Sequence, residues 1–200
     1  MDILIFGGQS NMQGQSERLI NTRPVEGGYE YKWLTDTLAP LCDPVGEDIR
    51  YDKTAGTAPA VGMDLSVWLR EHALGSACYG HSTLVPKFCE SYIRQTGRQV
   101  LAIHAAKGST CIKDWLPGTA GFEILVEKAA AGTSKAKECD KVGRIVFIWL
   151  QGESDAIAGN TKAYYKEKLR MLNDALKEKI GIENFCIIRN YIVFISCISD

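Results

Sequence analysis

Histidine is scarce in this 200-residue chain, which has three, at positions 72, 81 and 104. Any chemistry that needs an imidazole has few candidates. A charge excess is missing too, since 23 Lys and Arg face 24 Asp and Glu for a formal net charge of -1. Without a field of one sign, nucleic acid and anionic membrane surfaces are not expected partners, and a small or neutral substrate is favoured. The seven cysteines are odd in number and show no C-x-x-C spacing, which argues against a disulfide framework or a zinc knuckle and leaves free thiols. No metal and no cofactor are expected. The longest apolar run, Tyr191 to Ile198, falls short of the roughly 20 residues that span a bilayer. No basic and apolar leader precedes Asp2, so the expected compartment is the cytoplasm. Repeats, linkers and low-complexity segments are also lacking, and a single domain over residues 1–200 is expected.

What is present alternates strand-like and helix-like segments, the pattern of a parallel sheet covered on both faces. Asp2-Ile3-Leu4-Ile5-Phe6, Gln99 to His104 and Arg144 to Leu150 are the clearest strands, and another is expected to start near Phe185. Helices are expected over Met63 to Glu71, Leu84 to Thr96, Phe122 to Cys139 and Thr161 to Ile180, with Gly97 and Gly181 just past two of their ends. From Glu17 to Pro59 the chain is broken by Arg23-Pro24, Gly27-Gly28, Asp43-Pro44 and Ala58-Pro59, so long loops and one short strand are expected there.

Chemistry is suggested at two strand ends. The first strand runs into Gly7-Gly8-Gln9-Ser10-Asn11-Met12-Gln13-Gly14, which sets a serine on a glycine-flanked turn. In open α/β sheets, ligands bind beyond the carboxyl ends of the strands. The strand ending at Leu150 empties into Gln151-Gly152-Glu153-Ser154-Asp155, bringing an amide and two carboxylates to such an edge. A phosphate-cradling turn at Gly7 to Gly14 is the competing reading. It is disfavoured because the segment has neither the Lys-Ser/Thr ending of a P-loop nor a G-x-G-x-x-G spacing.

Gly8-Gln9-Ser10-Asn11-Met12 and Gln151-Gly152-Glu153-Ser154-Asp155 resemble the signature blocks of the SGNH hydrolases, in particular the sialic-acid-specific acetylesterase and acetylxylan esterase branch of carbohydrate esterases. Gly80-His81-Ser82 and Ala105-Ala106-Lys107-Gly108-Ser109-Thr110 are softer matches. The resemblance implies a three-layer α/β/α sandwich with a flavodoxin-like parallel sheet of about four to five strands. It also implies a serine hydrolase that removes acetyl groups from a small acetylated carbohydrate. The likeness ends near Arg189, before the late block in which the family carries its histidine. It therefore implies a domain incomplete at its carboxyl terminus, with impaired activity.

A serine hydroxyl needs a base, a group to orient that base, and donors for the oxyanion. Ser10 is the expected nucleophile, and its backbone N–H the first oxyanion donor, aided by any helix that starts after Gln13. By resemblance, the Gly80 backbone and the Gln151 side-chain amide supply the other donors, with Gly62 an alternative to Gly80. Asn11, His81 and Gly108 are expected at the substrate, and Glu153 is the triad acid. Glu153 and Asp155, two apart on an extended segment, are expected to face the same way, with Asp155 structural. His72 is expected at the surface and His104 buried and satisfied. A non-catalytic carbohydrate-binding module on the same fold is the alternative, consistent with the missing histidine.

Overall fold

The structure, a computed structural model, describes residues 1–14, 16, 18–47 and 82–189. The expected helix over Met63 to Glu71, together with Gly62, His72, Gly80 and His81, lies outside the described residues, as does the apolar tail from Asn190. Six strands form one sheet: β1 (Asp2–Gly8), β2 (Gly28–Lys32), β3 (Thr37–Pro40), β4 (Val100–Ala106), β5 (Ile145–Leu150) and β6 (Asn184–Ile187). Their order is β3-β2-β4-β1-β5-β6, and all neighbours are parallel except the β2–β3 hairpin. The hairpin accounts for the extra strands beyond the expected four to five. Its turn places Asp36 at a φ of 50°, where the Tyr31 hydroxyl donates to the Asp36 carboxylate at 2.9 Å.

β1 and β4 are buried along their whole length, which is why their sequences are nearly unbroken apolar runs. Alternation sorts the side chains to two faces. Ile3, Ile5, Leu101, Ile103, Phe147 and Trp149 point to one; Leu4, Phe6, Ala102, Val146, Ile148 and Leu150 point to the other. The first face packs against α3 (Ala120–Cys139) and α5 (Lys162–Ile180) through Phe122, Leu125, Ala129, Leu172 and Leu176. The second is covered by α2 (Val85–Thr96), through Val85 and Cys89, and by Leu41 and Val45. These layers give the expected sandwich. Local signals set the helix limits: Thr119 and Thr161 accept from Phe122 N–H and Tyr164 N–H, while Gly97 and Gly181 close α2 and α5 in the left-handed region.

A charged group lies inside the first face. Lys128 on α3 is fully buried and pairs with Glu47 at 3.0 Å, and Glu47 also accepts from the Trp33 N–H at 2.8 Å. Beside it Lys32 pairs with Glu30 at 3.0 Å, and Glu30 accepts from the Gly46 N–H. Burial pushes the Glu30 carboxyl up to about 7, against the pull of the neighbouring Lys32, and pushes the Lys128 amine down. These ion pairs fasten α3 and the segment ending at Glu47 to β2.

Candidate active site

β1, β4 and β5 end level with one another, because Gly8 is in register with both Ala106 and Leu150. Two backbone bonds continue the pairing past the strand ends: Lys107 N–H donates to the Gly8 carbonyl at 3.0 Å, and Gln9 N–H to the Leu150 carbonyl at 3.1 Å. Three loops therefore leave the sheet together, carrying Gln9–Gln13, Lys107–Cys111 and Gln151–Glu153. Gly8 makes this convergence possible. Its φ is +145°, and a Cβ built on it would stand 2.0 Å from the Leu150 carbonyl oxygen.

Ser10 opens a four-residue helix, α1 (Ser10–Gln13), and its side chain is half-buried. The described turn of helix begins at the serine itself, before Gln13. Met12 and Gln13 N–H both donate to the Gln9 carbonyl, whereas among the described residues no carbonyl accepts from Ser10 N–H or Asn11 N–H. The Ser10 hydroxyl likewise has no hydrogen-bond partner among the described residues.

Side chains on either side of Ser10 reach to both neighbouring loops. Asn11 donates from Nδ2 to Glu153 Oε1 at 2.5 Å. Gln9, almost fully buried, accepts through Oε1 from Gly152 N–H at 3.3 Å and Ser154 N–H at 3.2 Å, satisfying free amides at the start of α4 (Glu153–Ile157). Gln13 Oε1 accepts from Gly108 N–H at 2.7 Å. His104, fully buried on β4, bonds through Nε2 to the Met12 carbonyl at 2.9 Å, so this nitrogen carries the proton. It holds the serine's helix from beneath.

Glu153 and Asp155 do not lie on an extended segment. Helix α4 starts at Glu153 and turns the two carboxylates to different partners, which corrects the expected common direction. Glu153 meets Asn11. Asp155, 2% exposed, accepts from Ile112 N–H at 2.8 Å, Gln151 Nε2 at 2.7 Å and Asn160 Nδ2 at 2.7 Å. The other Gln151 amide hydrogen goes to the Thr110 carbonyl at 2.9 Å, and Gln151 Oε1 accepts from the Tyr165 hydroxyl at 2.8 Å. Burial pushes the Tyr165 hydroxyl well above its ordinary value, with Asp155 and Glu153 adding to the shift, so it stays a donor. Thr110 is itself fixed, donating to the Lys107 carbonyl and accepting from Trp115 Nε1.

The structure thus brings Ser10, Asn11, Gly108, Gln151 and Glu153 to one sheet edge, while Gly80 and His81 lie outside the described residues. The Gly108 N–H and both Gln151 amide hydrogens are occupied by protein acceptors, which leaves the Ser10 and Asn11 amides open. Sequence reasoning missed Gln9, Gln13, Thr110 and Tyr165. The signal for two of them was there: buried glutamines in a turn between apolar segments have to bond to something. Among the described residues no three or more His, Cys, Asp or Glu gather as a metal site would require, and no helix is long and apolar enough to cross a membrane.

Residues 1–196 match the family described as carbohydrate esterase, sialic acid-specific acetylesterase. Among solved structures, the chain is similar to a protein from Arabidopsis thaliana at 17% identity and a TM-score of 0.61, covering 93% of this chain and 71% of that one. It is also similar to NanS, at 13% identity and a TM-score of 0.57, covering 96% of this chain and 68% of that one. At such identities the likeness speaks for the fold. No curated protein sequence matches the chain.

Proposed function

Because the chain belongs to the carbohydrate esterase family of sialic acid-specific acetylesterases, we propose that Ser10 is the nucleophile of an O-acetylesterase acting on an acetylated sugar, of the sialate or xylan type. The observation that carries this reading is the level ending of β1, β4 and β5, which sets an unbonded serine hydroxyl beside the Asn11–Glu153 pair. Ser10 Oγ attacks the acetyl carbonyl carbon and gives its proton to a base. The tetrahedral intermediate then expels the sugar oxygen, which takes up that proton, leaving acetyl-Ser10 for hydrolysis by water.

The Ser10 N–H supplies the first oxyanion donor, and the open Asn11 N–H stands next to it. Gly80 is kept as a further donor on the family resemblance alone. Gln151 would reach the oxyanion only by releasing the Thr110 carbonyl or Asp155, so we assign it, with Gly108, to holding the loops. Glu153 is proposed as the triad acid and Asn11 as the group that aims it. His104, fully buried with its Nε2–H on the Met12 carbonyl, is assigned to holding α1, and we place the base outside the described residues. We propose that the reaction proceeds without metal or cofactor.

The test is hydrolysis of p-nitrophenyl acetate, with mass spectrometry of the protein quenched during turnover. Acetyl trapped on Ser10, and its loss in Ser10→Ala, is the expected result. A second reading, a binding module that holds an acetylated sugar, is favoured by the engagement of His104 elsewhere. It predicts no acetyl adduct and an affinity for acetylated sugar that Ser10→Ala leaves intact.

A further inference from the structure

The cross-ties around the serine close into a ring. From Ser10 the chain leads to Gln13, whose side chain holds Gly108; the same loop carries Thr110 and Ile112, which are held by Gln151 and Asp155; between those two lies Glu153, which Asn11 ties back to the residue next to Ser10. Asp155 is the buried junction where three donors meet, from Ile112, Gln151 and Asn160. We propose that Asp155 is a positioning residue of the acyl-transfer site, locking the loop after β4 to the loop after β5 and so setting where Glu153 stands relative to Ser10. The inference rests on the esterase reading and deepens it.

Chemistry favours a carboxylate at this junction. All three groups facing it are N–H donors, and an ionised carboxylate offers acceptors only. Gln151 cannot reverse its amide, because Nε2 faces the Thr110 carbonyl and Asp155 while Oε1 faces the Tyr165 hydroxyl, itself anchored by Trp149 Nε1 at 3.0 Å. Both flanks of Glu153 are pinned in this way, at Gln151 and at Asp155. A carboxylate that merely capped α4 would bond within its own turn. Asp155 also reaches Ile112, at the start of the 3₁₀ turn after the β4 loop, 43 residues away along the chain.

The bond to Asn160 supplies a test by exchange of partners. In Asp155→Asn the junction loses its charge and Asn160 has to turn its amide over to accept from the new NH₂, whereas in Asp155→Asn/Asn160→Asp the new amide donates to the new carboxylate and its oxygen still accepts from Ile112 and Gln151. We expect Asp155→Asn to lower kcat for p-nitrophenyl acetate roughly 100-fold, the loss typical of a displaced catalytic group, with KM within about twofold, and the exchange to recover most of it. Recovery of melting temperature without recovery of kcat would overturn the proposal, as would an unchanged kcat in Asp155→Asn.

A readout independent of turnover keeps this separate from the esterase reading. In side-chain amide NMR spectra, Asp155→Asn should shift both the Gln151 and the Asn11 resonances, and the exchange should restore both. If the Gln151 signals move and those of Asn11 do not, Asp155 does not set Glu153, whatever the activity. If both move while neither protein forms acetyl-Ser10, the positioning survives and the esterase reading fails. Should Asp155→Asn alone not fold, Tyr165→Phe frees Gln151 from its other side and is expected to move the same two sets of signals; their constancy would overturn the lock.

Discussion

Replacing Gly8 by alanine tests the convergence on which the site depends. The new methyl would lie 2.0 Å from the Leu150 carbonyl oxygen and 2.8 Å from its carbon, both backbone atoms that no side-chain rotation can move aside. β1 has to slide from β5, which lengthens the Gln9 N–H bond to Leu150 and carries Gln9 and Asn11 away from Gly152 and Glu153. Two costs add. Holding a side chain at a φ of +145° costs about 1–3 kcal/mol, and overpacking against fixed atoms about 1–3 kcal/mol more. The control is Gly97→Ala, where φ is +68° but nothing lies within 4 Å of the added Cβ, so the strain of about 1–2 kcal/mol stands alone. Urea unfolding with the slope held common gives both values, and Gly8→Ala should lose roughly 2–6 kcal/mol in all. Labelling of Ser10 by a fluorophosphonate, followed well below the transition, should slow in Gly8→Ala and not in Gly97→Ala. Equal stability losses in the two variants would refute the close approach.

Other expectations follow from single contacts. Glu30 is held up to about 7, so between its ordinary 4.5 and that value the folded state keeps a proton the unfolded chain has released. Its contribution to stability is therefore full below the unfolded value and falls as pH rises through the window, by up to roughly 3 kcal/mol; Glu30→Gln should flatten that difference in urea titrations. Lys128→Met breaks the buried pair with Glu47 and should cost about 3–5 kcal/mol by thermal or urea unfolding; a neutral result would mean that the pair is no tie between α3 and β2. Gln9→Ala strips the acceptor from Gly152 and Ser154 N–H and should cost about 1–3 kcal/mol, with faster amide exchange confined to those two residues.

The sheet's centre was legible because β1, β4 and β5 are buried on both faces and so must be written in continuous apolar residues. The site's location followed from the same strands, since glycine-bearing loops at their ends have no role in the core. The β2–β3 hairpin was hidden by its composition: Gly28-Tyr29-Glu30-Tyr31-Lys32 carries two charges that are buried only because they pair with each other and with the segment ending at Glu47. Glu153 and Asp155 were misjudged for a related reason. Periodicity says where a side chain points once the local conformation is known, and α4 already begins at Glu153, where the extended reading needs strand through Asp155. The commitment of Gln151 was beyond reach altogether, since Thr110 lies 41 positions away and nothing local marks it as a partner.

An amide next to a signature glutamate invites assignment to the oxyanion, yet a donor that must first break a buried protein bond before it can turn to the substrate repays little of its cost. The open amides of Ser10 and Asn11 need no such exchange, because the short helix α1 leaves its first N–H groups unbonded while Gln9 and Gln13 hold its two ends. On the proposed reading, polar side chains beside the serine fix the backbone, and its open amides are left for the oxyanion. On this account a Gln151 variant should lose activity through displaced loops, with the Asn11 amide resonances moving in step. A loss of kcat in Gln151→Glu with every Asn11 signal in place would return Gln151 to the oxyanion.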